Sequence, residues 1–472
     1  MKSNRKNFNR REFLKSSALA GTFLGLAPTG LTAHDKMELK GILENKLVRP
    51  TTPGKTVRGL KVAPMETVRV AFIGLGNRGV RHVRTLQQLA PKAQIMAICD
   101  IRENKAKESA ALLKGKNKKA EVYFGGEDDW KKMAQRDDLD LVIISTPWKS
   151  HAPMAEYCMR QGKHVAVEVP MALTLDETWK LIATAEETQR NCMMLENVCY
   201  GDEELWLLNM VKQGVLGTLT YAEAAYFHDL KENLFNDKYY EKWRIRHHVS
   251  SNANLYPTHG LGPVAQYMDI GRGDRFDHLI SMSSLEASLT EYAQTVESDN
   301  EFYGKNDFAH GDISNSLIKT HSGKCILVQH DVVTPRPYSR INALAGTKGY
   351  HEGYPSKLSL AAENKGHQWL DETAYKEMRQ RYDNPIWKRL NDEISKNGDH
   401  GGMDYVMMYR LIDNFNSGRP LDMDVYDGAD WSVITPLSAT SVQLGGVPVR
   451  FPDFTGGLWK EKSALEILKN EL

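Results

Sequence analysis

Between Val68 and Val169 the chain alternates short, unbroken apolar runs with stretches of helical spacing. The runs are VRVAFIGLG, AQIMAICD, DLVIIST and HVAVEV, the last spanning His164 to Val169. Helical patterns fall between them, over Gly79 to Leu89 and Met154 to Gln161. A strand that is apolar at every position, rather than at every second one, is buried on both faces. Such strands alternating with helices predict a parallel sheet covered on both sides.

After Asn197 the texture changes. TLTYAEAAYFHDL, FDHLISMSSLEASL, NSLIKTHSGKCILVQHDVV and YSRINALAGTKGYHEGY are longer, alternating or β-branched, with no regular helix between them. They predict a mostly antiparallel sheet in a second domain. Towards the end, helical spacing occurs twice, and Gly418 and Pro420 divide the two helices. Before Val68, residues 34–66 are polar, carry Pro50, Pro53, Gly54 and Pro64, and read as a tether or surface arm. No internal repeat or low-complexity tract is present.

Composition narrows the possibilities. A chain of 472 residues is too long for one ordinary core. With 41% hydrophobic and 26% charged residues it has the make-up of a globular protein. A net charge of +1 gives no electrostatic reason to expect nucleic acid or an anionic membrane as partner. The five cysteines lack metal-ligand or C-x-x-C spacing and read as buried thiols. At the start, Arg10-Arg11 precedes Phe13-Leu14-Lys15, a short Ala/Gly/Leu-rich run and a small-residue site at Leu31-Thr32-Ala33. That order predicts a twin-arginine export signal over residues 1–33, a route that carries folded proteins, and hence a periplasmic or otherwise exported protein. No later run has an uncharged membrane-spanning length.

GLGNRG, Gly74 to Gly79, fits G-x-G-x-x-G, and it follows a strand and opens a helix as that motif requires. Gly74 allows the tight turn, Gly76 lets backbone approach a pyrophosphate, and Gly79 lets helix and strand pack closely. Asp100, at the end of the next strand, is placed to accept hydrogen bonds from an adenosine ribose and favours NAD over NADP, with Arg102 nearby. STPWKSH ends the third strand, where Trp148 and His151 would line the nicotinamide ribose. Glu168 ends the fourth, where an acid is costly unless it binds something. These features predict an α/β fold: a Rossmann domain over 67–198 and a C-terminal α+β domain with an open, mostly antiparallel sheet over 199–472.

The landmarks resemble the glucose–fructose oxidoreductase and inositol dehydrogenase family over roughly residues 67 to 450. Within it they are most similar to glycoside hydrolase family 109, the NAD-dependent α-N-acetylgalactosaminidases, through GLGNRG, STPWKSH, EVPMALT, ENVCYG, NLYPTHGLGPVAQYMDI and HGGMDYVMMYRLID. The resemblance implies NAD contacts from Asn77, Arg78, Asp100, Trp148, Lys149, Ser150, His151, Glu168, Val169 and Asn197. It implies a sugar site of Tyr226, Arg246, Tyr256, Pro257, Thr258, His259 and Tyr338. Val169 stands where the dehydrogenases carry Lys, and Leu255 where they carry the Asp of an Asp-x-x-x-His pair. Both changes remove charged groups that serve simple hydride transfer.

What the resemblance implies is hydrolysis by oxidation, elimination, addition and reduction, with tightly held NAD recycled and no net redox change. His259 is the first choice for acid–base work, histidine being the side chain whose ordinary pKa lies closest to neutral, with Tyr256 and Tyr338 as catalytic partners. Tyr226, Tyr256 and Tyr338 can each hydrogen-bond a hydroxyl and stack on a sugar's C–H face. Arg246 would hold a hydroxyl or the acetamido carbonyl, with Arg244 as alternate. His247-His248 lacks a third ligand, and no metal is assigned. A paired-carboxylate glycosidase using acids such as Asp229, Glu232 and Asp269 is the competing chemistry, and the dinucleotide motif argues against it. The other readings are a sugar or cyclitol dehydrogenase with net NADH formation, and a non-catalytic dinucleotide- or sugar-binding protein. Assembly into a homo-oligomer is left open.

Overall fold

The apolar runs of the first domain lie side by side in one six-stranded parallel sheet. Its strands are β1 (Val68–Ile73), β2 (Ala93–Asp100), β3 (Glu121–Phe124), β4 (Leu141–Ile144), β5 (His164–Val167) and β6 (Cys192–Met194), in the order β3-β2-β1-β4-β5-β6. This is the doubly wound arrangement, and the strand order reverses between β1 and β4, where a crevice opens for a ligand. A computed structural model describes residues 49, 54–363, 367–397 and 399–469. The export signal and most of the arm lie outside the described residues. β3 escaped the sequence reading because it is an edge strand with half-exposed and exposed side chains and no apolar run.

The second sheet has eight strands: β7 (Leu219–Phe227), β8 (Phe276–Ser283), β9 (Ser314–Thr320), β10 (Cys325–Asp331), β11 (Ala343–Gly346), β12 (Gly349–Glu352), β13 (Lys357–Leu360) and β14 (Val449–Arg450). Their order is β13-β12-β11-β7-β10-β9-β8-β14, antiparallel throughout except between β7 and β10. The expectation of no regular helix between these strands is corrected. Helices occupy Lys231–Phe235, Trp243–Ser250, Thr258–Tyr267 and Ser288–Ala293. The third of these contains Gly260, Gly262 and Pro263, which disguise it as a loop in sequence. Gly260 is needed there for packing: a Cβ would stand 2.4 Å from the Ala225 nitrogen, because the helix lies directly on the backbone of β7. The segment 401–445, expected to hold two helices, holds three: Met403–Ser417, Val425–Ser432 and Ile434–Gln443. Gly418, at φ +64°, ends the first in the left-handed conformation that glycine adopts freely.

Packing does not divide where the sequence does. Helix Met403–Ser417 returns to the first domain, with Phe415 5.0 Å from the His164 ring and Lys92 Nζ 2.9 Å from Asp413 Oδ1. One hydrophobic core runs through both sheets. The described part of the arm is pinned to it: Val57 is buried, Thr56 Oγ1 lies 3.0 Å from the Tyr426 hydroxyl, and Met65 N donates to Phe415 O at 3.1 Å. The cysteines are all unbridged, four of them buried and Cys325 half-buried. Among the described residues no helix is long and apolar enough to cross a membrane.

Candidate functional site

The glycine loop sits at the sheet's reversal point, and its three glycines answer to different demands. A Cβ on Gly74 (φ +87°) would lie 2.7 Å from Ser145 O, and one on Gly79 would lie 1.9 Å from Gly74 O. Those two are required by the fold itself. A Cβ on Gly76 meets nothing nearer than Arg102 Nη2 at 3.6 Å. The fold therefore does not crowd Gly76, which neighbours only the tip of the Arg102 side chain, and helix Asn77–Gln87 begins there without a side-chain cap. Uncapped first-turn amides beside an open glycine fit the pyrophosphate of a dinucleotide.

The residues expected to touch the cofactor are largely tied to one another. Asp100 Oδ2 accepts from Leu75 N at 2.7 Å and Arg102 Nη2 at 3.2 Å, and Oδ1 accepts from Arg102 N and Nε at 2.9 and 3.0 Å. A ribose would have to share this carboxylate with Arg102, whose guanidinium also lies over the Tyr240 ring. Asn77 Nδ2 donates to Lys238 O at 2.9 Å. Trp148 is buried, Ser150 is half-buried and Lys149 is exposed. His151 is placed differently from the expectation: its two ring nitrogens lie 2.7 and 2.8 Å from the Pro170 and Thr146 carbonyl oxygens. It bridges the loops after β4 and β5 and has no nitrogen left for a ligand.

Glu168, as an acid ending a buried strand, does bind something. Its Oε1 accepts from Arg78 Nε at 2.9 Å and lies 2.7 Å from His82 Nε2. Burial pushes its carboxyl up, but the Arg78 charge and the His82 hydrogen bond outweigh it and hold it down at about 2. Arg78 also pairs with Asp404 at 2.8 Å, and Asn197 Nδ2 donates to Asp404 Oδ1 at 2.7 Å. Asp404 was not foreseen. It comes from helix Met403–Ser417 and ties Arg78 to Asn197 across the whole chain. Val169 is buried behind this group.

Against Trp148 stands an aromatic cage from the second domain. Tyr256 lies 5.8 Å from Trp148 and 4.6 Å from Tyr226, and the His259 ring stands edge-on to both tyrosines at 4.8 and 5.4 Å. His259 Nδ1 is 2.7 Å from Oε1 of Glu196, which is fully buried, and Nε2 is 3.5 Å from the Tyr256 hydroxyl. A carboxylate only accepts, so Nδ1 carries the proton and Nε2 presents its lone pair to the cage. Glu196 was missed because one buried acid ending a strand gives no sign of its partner 63 residues on. Pro257 and Thr258 are buried and form the start of helix Thr258–Tyr267. Tyr338 lies further out, 6.2 Å from Tyr226 and 40% exposed.

The guanidinium of the site belongs to Arg244, not Arg246. Two residues apart on helix Trp243–Ser250, their side chains point about 200° apart. Arg246 faces outward and pairs with Glu301 at 2.9 Å. Arg244 is buried, with its guanidinium 5.0–5.9 Å from the rings of Trp148, Tyr226, Tyr239 and Tyr256. Among the described residues its Nε and Nη2 have no partner, so two buried donor atoms are open to an acceptor. Burial pushes the Tyr226 phenol up to about 12 against the Arg244 charge, and pushes Tyr256 well above the usual tyrosine range. Both phenols are hydrogen-bond donors at neutral pH.

Half-buried His247 and buried His248 and His330 lie at the site, buried His164 lies at the start of β5, and burial is the first cause of their low affinity for protons. His164 and His247 are pushed down to about 4, and His248 and His330, behind Tyr226, well below the ordinary value. Unfolded, each would titrate near 6.5. Stability is therefore complete above that pH and falls as pH drops towards 4, by about 1.4 kcal/mol per pH unit for each proton the fold refuses. The expected result is a Tm that declines progressively below about pH 6.5. A Tm constant from pH 7.5 to 5 would show that these rings are not neutral and buried.

Residues 200–461 match the family described as "Glycosyl hydrolase 109, C-terminal domain", and residues 68–196 match "Oxidoreductase family, NAD-binding Rossmann fold". A relative from Shewanella oneidensis, named alpha-N-acetylgalactosaminidase, is 44% identical over 468 residues, covering 98% of this chain and 99% of its own. A glycosyl hydrolase family 109 protein from Shewanella pealeana is 44% identical over 465 residues with the same coverage. Among solved structures, levoglucosan dehydrogenase in complex with NADH superposes with a TM-score of 0.62 at 16% identity, over 82% of this chain and 99% of that one. An NAD-binding oxidoreductase from Klebsiella pneumoniae gives 0.61 at 17%, with the same coverage. At such low identity these last two speak to the fold alone.

Proposed function

Because the chain belongs to glycosyl hydrolase family 109, we propose that it hydrolyses terminal α-linked N-acetylgalactosamine from glycans. Bound through the glycine loop, NAD supplies the hydride acceptor and donor of an oxidation–elimination–addition–reduction cycle with no net redox change. The observation that carries this reading is the Glu196–His259 pair, set in an aromatic cage that abuts Trp148 at the carboxyl end of β4. A side chain able to transfer protons thus stands one ring away from the tryptophan that follows β4, where the cofactor is expected.

His259 Nε2 takes the proton of the sugar hydroxyl and returns it, with buried Glu196 holding the tautomer and stabilising the charged ring. Tyr256, protonated and 3.5 Å from that nitrogen, is the neighbouring donor. The free Nε and Nη2 of Arg244 receive acceptor oxygens of the sugar, the acetamido carbonyl among them. Trp148, Tyr226 and Tyr256 offer ring faces to its C–H bonds. Val169, where a lysine would serve a dehydrogenase, leaves His259 as the base.

An aryl α-N-acetylgalactosaminide tests the proposal. In heavy water the expected products are free aryl alcohol and N-acetylgalactosamine carrying deuterium at C2, without accumulating NADH. Reduced nicotinamide growing in step with sugar consumption would replace hydrolysis by net dehydrogenation, and product without label would remove the elimination step. We also propose export through the twin-arginine route, on the strength of Arg10-Arg11 and the apolar run behind it. Changing both arginines to lysine should keep the precursor in the cytoplasm. Undiminished export of that variant would overturn the assignment.

A further inference from the structure

The segment between helices Lys231–Phe235 and Trp243–Ser250 belongs to the second domain, yet it reaches the glycine loop of the first, and the scheme above gives it no role. Asn77 Nδ2 donates to the carbonyl oxygen of Lys238 at 2.9 Å. Two residues on, the Tyr240 ring faces the Arg102 guanidinium, with 4.8 Å between Cζ and the ring centroid. Both contacts adjoin Gly76. Asn77 is the next residue, and Arg102 Nη2 is the atom nearest to a Cβ placed on Gly76, at 3.6 Å. Arg102 is fixed in turn by Asp100, the carboxylate expected to hold the adenosine ribose. The segment therefore stands beside both the pyrophosphate end and the ribose end of the dinucleotide site.

Its own construction is firm, and its grip on the first domain is light. Asn300 Nδ2 donates to Phe235 O at 2.8 Å, and the Tyr239 hydroxyl accepts from Arg244 Nη1 at 3.1 Å. The turn is closed by Lys242 N on Tyr239 O at 2.8 Å and by Lys242 Nζ with Asp237 Oδ1 at 2.9 Å. Glu241 and Lys242 both occupy the left-handed region, at φ +50° and +48°. Two successive non-glycine residues there hold strain that the surrounding bonds must maintain, and such strain gathers at ligand clamps and switch segments. The outer side is open to solvent: Asn236, Asp237 and Lys238 are exposed, and Tyr240 is half-buried. The contacts to Asn77 and Arg102 are a neutral hydrogen bond and a partly exposed cation–π pair, both of modest strength.

We propose that residues 236–242 form a clasp over the adenosine half of the dinucleotide site, and that NAD enters and leaves only when the Tyr240–Arg102 contact opens. The clasp rests on the dinucleotide site alone and is independent of the sugar the enzyme takes. Because the contact joins two protein groups, weakening it frees entry and exit alike and leaves the affinity unchanged. An ordinary contact residue behaves otherwise: its loss speeds release and weakens binding by the same factor.

The test follows cofactor exchange in the NAD-loaded protein. Isotopically labelled NAD is added in excess, and native mass spectrometry reads replacement of the bound molecule with time. The dissociation constant comes from diluting the loaded protein to equilibrium. Tyr240→Ala is expected to exchange about two- to fivefold faster than wild type, the weight of one partly exposed cation–π contact, with an unchanged dissociation constant. Tyr240→Phe keeps the ring face and should exchange at the wild-type rate. An unchanged rate in Tyr240→Ala would overturn the clasp. So would a rate and a dissociation constant that rise together, which would make Tyr240 an ordinary contact, or a phenylalanine variant as fast as the alanine one. Each of these results leaves the hydrolase reading standing. A wild type that holds no NAD would overturn the clasp and the redox cycle together.

Discussion

Turnover of an α-N-acetylgalactosaminide should fall by about 10²- to 10⁴-fold when His259 is replaced by alanine, the usual worth of a positioned acid–base group. Bound NAD should remain, because His259 lies on the cage side of the crevice and no residue of the glycine loop leans on it. Nε2 carries the lone pair left facing the cage once Nδ1 donates to Glu196 at 2.7 Å. Alanine also deprives a fully buried carboxylate of its main partner, leaving Oε1 with Val198 N at 3.2 Å. Some loss of Tm is therefore expected, since an unpaired buried charge is destabilising. His259→Asn separates the two effects. Its amide can still donate to Glu196, restoring Tm, but it cannot carry a proton through the cycle, so turnover should stay low. Turnover within a few-fold of wild type in both variants would remove His259 from the chemistry.

Gly76→Val is expected to give a folded protein that purifies without NAD. Gly76 has φ −72° and ψ −157°, an extended conformation open to any residue, and its Cβ position is clear of the fold. Valine there fills only the space into which the pyrophosphate must come. Mass spectrometry of the native protein reads cofactor content, and Tm reads the fold. Gly79→Ala is the contrasting variant: its Cβ would lie 1.9 Å from Gly74 O, so it should lose the fold along with the cofactor. A Gly76→Val protein that retains a full complement of NAD would show that the dinucleotide does not approach the backbone there.

The contrast between Arg244 and Arg246 shows what kind of information a sequence withholds. Both lie in one basic segment, KWRIRHH, and only the helical phase of Trp243–Ser250 turns one towards the cage and the other to Glu301. Phase depends on where the helix begins, and Lys242, at φ +48°, starts it without a side-chain cap that sequence could have signalled. His151 makes a related point. The motif that contains it marked the end of β4 correctly, yet its ring is spent on two backbone carbonyls.

By itself, the sequence determined the parallel sheet, the glycine loop and the identity of the second domain as largely antiparallel. Each depends on local periodicity or on residues a few positions apart, and such signals survive in one dimension. Only the tertiary structure decided that Glu196 holds His259, that Asp404 joins Arg78 to Asn197, and that Tyr240 stands beside Arg102. These pairings join residues far apart in the chain, and their energetic meaning comes from shared burial. A carboxylate is held ionised, or a ring is set edge-on, by whichever neighbours the packed core brings within a few ångströms.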